Sequence, residues 1–180
     1  MDLARNLKLI TIIFLVITAA MAVWYRYTSS ETLLTLVITF GTISYHFVMR
    51  LLTGLVFNSV MKNKANYRRH WYQVSQWEMD VYEKLKVKKW KNKMPTYDSS
   101  LFDPRLHTLD EVVQAMCQAE LVHETIAVLS FLPIAAGIWL GSYPVFIITS
   151  LVAAAIDMMF VVMQRYNRRR IINIIQHEKA

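Results

Sequence analysis

Four apolar blocks, at residues 7–25, 33–57, 112–140 and 143–164, constrain this chain more than any other feature. Each has the roughly 20 residues needed to cross about 30 Å of hydrocarbon. Lipid offers backbone N–H and C=O groups no water, so segments of this kind have to be α-helices. The rest of the composition agrees: 55% of the 180 residues are hydrophobic, with only 4 Gly and 4 Pro, which is too apolar and too helix-friendly for a soluble domain of this size. The sequence therefore predicts an all-α protein, an integral membrane four-helix bundle. Residues 1–60 would hold the first two transmembrane helices and 61–110 a basic cytoplasmic or interfacial segment. Residues 111–180 would hold the other two helices and a basic tail.

The first block opens with Arg5 and Lys8 and contains Ala20-Met21-Ala22, features shared with secretory signals, but its apolar run is long for a signal core and reads as a span. The single cysteine, Cys117, excludes an internal disulfide and gives no sign of an oxidising compartment. Of the 20 Lys and Arg residues, 11 lie in 61–110 and five follow residue 164, while the Gly141-Ser142 turn has none. The positive-inside rule then gives a multi-pass protein of the cell membrane, with both termini and 61–110 cytoplasmic and the loops near 28 and 141 outside.

Within the basic segment, Trp71, Val74, Trp77, Val81, Leu85 and Trp90 alternate with cationic residues, so 67–90 predicts a cytoplasmic amphipathic helix on the inner leaflet, ended by Met94-Pro95. The same cations would serve simply to hold orientation and attract anionic lipid. A four-span protein leaves little place for nucleic acid as a partner.

Ionisable side chains cost about 2.5–3.5 kcal/mol each at mid-bilayer on insertion scales, so those that persist face the bundle interior and serve a purpose. The blocks contain His46, Arg50, Glu120, His123, Glu124 and Asp157. At 1.5 Å per residue, Arg50, Glu120 and Asp157 lie roughly 10–12 Å from the cytoplasmic ends of their helices, and His46 and His123 roughly 16 Å. Their shared level and face predict a polar pocket open to the cytoplasm; isolated ion pairs, such as Arg50 with Asp157 or Glu120, are the alternative. A histidine beside carboxylates is suited to activating a hydroxyl. Glu120-x-x-His123 is half of a di-iron carboxylate motif, but the other half is missing and no metal is expected. Cys117 reads as a small packing residue. No glycine-rich phosphate loop and no Gly-x-Ser-x-Gly elbow is present.

The strings "LKVKKWKNKMP" (85–95), "AELVHE" (119–124) and "QRYNRRR" (164–170) resemble, in order and spacing, the glycosyl-4,4'-diaponeurosporenoate acyltransferase family over roughly residues 80–175. The resemblance implies transfer of a fatty acyl group to a sugar hydroxyl of a glycosylated carotenoid or related glycolipid. The donor would be a cytoplasmic acyl thioester such as acyl-CoA, and no cofactor is needed. The matching positions are Lys89, Trp90, Lys91, Glu120, His123, Gln164, Arg165, Tyr166, Asn167 and Arg168. On chemical grounds His123 would be the base, oriented by Glu120, with Asn167 or Arg165 stabilising the oxyanion. Arg165, Arg168, Lys89 and Lys91 would hold donor phosphates. Trp90, Gln164 and Tyr166, with His46, Arg50 and Asp157 from the pocket, would complete substrate binding. The partners implied are the bilayer, the lipid acceptor and the acyl donor; oligomeric state stays open. A lipid methyltransferase and a non-enzymatic lipid-binding protein are the competing classes.

Overall fold

Most of the described residues lie in helices, whose backbone polar groups bond within the element. The computed structural model describes residues 3–178 and contains α1 (Leu3–Thr28), α2 (Glu31–Met61), α3 (Gln76–Lys84), α4 (Val87–Trp90), α5 (Leu109–Leu129), α6 (Pro133–Leu140) and α7 (Tyr143–Glu178), with no strand among the described residues. Four stretches are long and apolar enough to cross a membrane: Leu3–Thr28, Glu31–Met61, Leu109–Leu140 and Tyr143–His177. The third is not one unbroken helix. It turns at 130–132, where Pro133 enters the first turn of α6 without an N–H to continue the ladder.

The chain forms two compact units: residues up to Gly54 with Thr125–Ile156, and Leu55–Glu124 with the residues from Asp157 onward. In the first unit the usual distribution of side chains is inverted. Leu9, Ile12 and Val16 of α1 are 56%, 57% and 62% exposed, whereas Thr11, Thr42, Ser44, Thr53, Ser130 and Ser150 are buried. In water that arrangement would be untenable. In lipid it is the expected one, since helices associate there through small and hydroxylated residues rather than by hiding apolar ones. The hydroxyls of Thr11, Thr18, Thr42 and Ser130 donate to the carbonyls four residues back, at 2.7–2.8 Å. Between α1 and α2, Thr18 and Ser44 hydroxyls meet at 3.0 Å and Phe14 stacks on Phe47 at 5.5 Å. The α1–α2 connection passes through Ser29 with a left-handed φ of 48°. On the other side of the unit, Gly141 at φ 65° turns the chain from α6 into α7, and the Tyr143 ring lies over Gly137.

In the second unit, α5 holds the chain that follows α2. Gln118 Oε1 accepts the Asn63 backbone N–H at 2.7 Å, Gln114 Oε1 accepts that of Ala65 at 3.3 Å, and Asp110 Oδ1 accepts the Tyr67 hydroxyl at 2.5 Å. These three α5 residues are four apart and so share one helix face. Residues 67–90 do not form the single amphipathic helix expected from their pattern. A 3₁₀ turn at His70–Tyr72 gives way to extended backbone, α3 begins afresh at a Ser75/Glu78 capping box, and Lys86 at φ 54° separates α3 from α4. The reason is tertiary: α7 side chains capture the carbonyls of 71–73, leaving them outside any helical ladder. Val74, Tyr82 and Val87 pack with Tyr166 of α7 into a small core, while Trp71 and Trp77 stay exposed.

Candidate active site and its supporting clamp

Position 123 on α5 and positions 157 and 160 on α7 come together in the second unit. Asp157 and Phe160, three residues apart, share a face of α7. The His123 imidazole lies parallel to the Phe160 ring, centroids 4.5 Å apart and planes 7° off, with Nδ1 2.8 Å from Asp157 Oδ1. The Asp157 side chain is 1% exposed, the His123 side chain 23%. A carboxylate at Nδ1 places the ring proton there and leaves the Nε2 lone pair to act as a base. Stacking fixes the plane and Asp157 fixes the rotation within it.

Glu120 is not the partner of His123. It is fully buried, and its two oxygens accept from two arginines of α7: Oε1 from Arg165 Nη1 at 2.5 Å, and Oε2 from Arg168 Nη1. One turn separates Glu120 from His123, but a carboxylate held by two guanidiniums has no orientation left to offer the imidazole. Arg165 donates further from Nε and Nη2 to Glu78 Oε1, at 3.0 and 2.7 Å, and to the carbonyls of Trp71 and Gln73, at 3.1 and 3.0 Å. All five of its N–H donors are thereby engaged. Arg168, also fully buried, donates to the Tyr72 carbonyl at 2.7 Å and lies over the Tyr72 ring. Arg165 has no donor left for a phosphate or an oxyanion, and Arg168, whose Nε is buried without a hydrogen-bond partner, is sealed from solvent, contrary to the role that their position at the end of an apolar block suggests. They form a clamp fastening residues 71–78 to α5 and α7.

The clamp includes a residue that hydrophobic patterning passes over. Burial would raise the Glu78 carboxyl, but the Ser75 backbone N–H and the Arg165 guanidinium outweigh it and hold the group below its ordinary range. The sequence signal for Glu78 is the Ser75-x-x-Glu78 spacing of a capping box. Glu124, beside the clamp, accepts the Trp71 indole N–H at 3.1 Å. Cys117 is buried.

Lys91 and Asn167 make a third grouping. Lys91 Nζ donates to Asn167 Oδ1 at 2.5 Å and stands 5.3 Å from the centre of the Tyr166 ring. Asn167 is thus already an acceptor for a lysine. Trp90 lies at the edge of the Tyr166 core, its indole N–H donating to the Leu85 carbonyl at 3.1 Å. Gln164 is buried and Lys89 is exposed. His46 and Arg50 belong to the first unit: His46 is buried edge-on to Tyr45, and Arg50 Nη2 reaches the Ala153 carbonyl at 3.4 Å.

Long apolar helices that bury hydroxyls and carboxylates while exposing aliphatic side chains define a multi-pass membrane protein. The family model for glycosyl-4,4'-diaponeurosporenoate acyltransferase matches residues 68–177, a stretch holding the clamp, the His123–Asp157 pair and the Lys91–Asn167 grouping. The chain belongs to that family. No curated protein and no solved structure matches it.

Proposed function

We propose that this protein is an integral membrane acyltransferase of the cell membrane, esterifying a hydroxyl of a glycosylated carotenoid or related glycolipid with a fatty acyl group from a cytoplasmic acyl thioester. The observation that carries this reading is the His123–Asp157 pair, a half-buried imidazole with its Nδ1 occupied by a carboxylate, inside the region matched by an acyltransferase family. His123 Nε2 takes the proton of the acceptor hydroxyl as that oxygen attacks the thioester carbonyl. Asp157 stabilises the imidazolium that forms. The tetrahedral intermediate collapses, the C–S bond breaks, and the departing thiolate takes the proton back from Nε2. The lipid portions of both substrates lie in the bilayer, against the exposed aliphatic faces of the helices. The cation-rich chain between α2 and α5 and the end of α7 lie on the cytoplasmic side, where the soluble donor approaches.

The test is acyl transfer from radiolabelled acyl-CoA to a glycolipid acceptor by purified wild type and His123→Ala. A general base contributes about 10²–10⁴ in rate. A variant keeping more than about a tenth of the wild-type rate removes His123 from the mechanism.

A further inference from the structure

The basic string at the end of α7 divides into two kinds of cation. Arg165 and Arg168 face Glu78 and Glu120 and are neutralised. Arg170 is not: its guanidinium carbon lies 5.9 Å from the centre of the Tyr166 ring, the ring that Lys91 Nζ approaches to 5.3 Å. Lys88, three residues before Lys91, stands near enough to act on it electrostatically. Among the described residues, no carboxylate lies within ion-pair distance of Lys88, Lys91 or Arg170. Lys91 is half-buried, and of its three ammonium donors one goes to Asn167. Burial, Arg170 and Lys88 together hold its amine below the ordinary lysine range. Gathered cations fixed by an aromatic ring and an amide, with no internal counter-charge, are a standing repulsion that a bound anion relieves.

We infer that Lys91 and Arg170, which share the Tyr166 ring, together with Lys88 three residues before Lys91, bind a phosphate group. Resting on the acyl-transfer reading, that phosphate belongs to the nucleotide end of the thioester donor. Arg170 is thirteen residues beyond Asp157 on α7, ~20 Å along the axis, and Asn167 is ten, ~15 Å. An extended phosphopantetheine arm covers that separation, so phosphates held at Lys91 and Arg170 deliver the thioester carbon toward His123. A phospholipid headgroup offers the same phosphate chemistry and is the other source.

The experiment compares full-length wild type with Lys91→Gln/Arg170→Gln and with Arg170→Gln alone, an exposed position that keeps the fold if the double variant does not. Coenzyme A and pantetheine, which has the same thiol arm without phosphates, are titrated by microscale thermophoresis in detergent at two salt concentrations. Retained phosphatidylglycerol is counted by native mass spectrometry. The expected result is coenzyme A binding weakened about tenfold or more in the variants with a shallower salt dependence, and pantetheine binding unchanged. Unchanged coenzyme A binding with loss of retained phosphatidylglycerol assigns the site to a lipid phosphate. If neither falls, there is no phosphate site at these residues. Both readouts are independent of turnover, so the site can stand if His123→Ala stays active and can fail if it does not.

Discussion

Arg168 and Glu120 face each other with both side chains wholly removed from solvent, the guanidinium donating to one carboxylate oxygen while Arg165 takes the other. A buried pair of this kind is weak evidence of net stability, because desolvation offsets most of the attraction. Breaking it from one side is another matter.

Glu120→Ala leaves Arg168 buried without its counter-charge and should cost about 3–5 kcal/mol. Thermal unfolding of the purified protein in detergent should show a large fall in midpoint, with Lys89→Ala, at an exposed position, close to wild type. Equal midpoints for the two variants would mean that Glu120 does not hold the fold. Arg165→Lys should also be poorly tolerated, because an ammonium cannot replace five donors in a planar fork.

Asp157→Asn keeps the shape beside His123 and removes the charge. If Asp157 positions the imidazole and stabilises its charged form, kcat should drop about tenfold to a thousandfold with KM for the acyl donor nearly constant. Asp157→Glu should recover part of the loss. A change in KM alone would instead place Asp157 in substrate binding, the role its depth in the membrane suggests from sequence.

Glu78 gives the clamp an acid limit. Its carboxyl is held below the ordinary range in the folded chain, so its contribution is complete above the unfolded carboxylate pKa of about 4.3 and is lost as pH falls through the lower folded value. Glu78→Gln should therefore be less stable than wild type near neutral pH, with the gap closing in acid. A gap independent of pH would show that the Arg165 contact works through shape alone.

Gly137 has no room for a methyl group, since a Cβ there would stand 2.6 Å from a ring carbon of Tyr143. Gly137→Ala should destabilise by about 1–3 kcal/mol through overpacking. Tyr143→Ala in the same chain should cancel most of the penalty, a coupling that a double-mutant cycle reads directly.

The four membrane-length segments were legible because hydropathy reports what lipid requires of a backbone, and no tertiary contact can relax that requirement. Residues 67–90 were not, for the opposite reason. Their aromatic spacing fits one helix, yet Arg165 and Arg168, some 90 residues away, take the carbonyls of 71–73. The polarity of His123 within an apolar block marks it out in the sequence, whereas sequence proximity does not give its partner. Glu120 is nearer in sequence, but Asp157, 34 residues away, is the one the fold brings to Nδ1. Polarity within a span marks which residues matter; pairing depends on helix rotation, which composition does not encode. The arginines of the QRYNRRR string look alike in one dimension and differ only in whether a carboxylate faces them.

Arg165 touches the segment 71–78 at three places, the carbonyls of Trp71 and Gln73 and the carboxylate of Glu78, while Ser75 starts α3 between them. That makes the interval from 71 to 78 a ruler. One residue inserted or deleted after Gln73 would carry Glu78 about 100° around its helix or pull Ser75 from its capping position, and the guanidinium could satisfy only one end of the segment. The hydrogen bonds around Asp98 and Asp103 close on residues two positions away, so the chain near 95–106 has no such distant gauge to satisfy. Loop-length variation in this protein should accumulate there and stop short of Gln73.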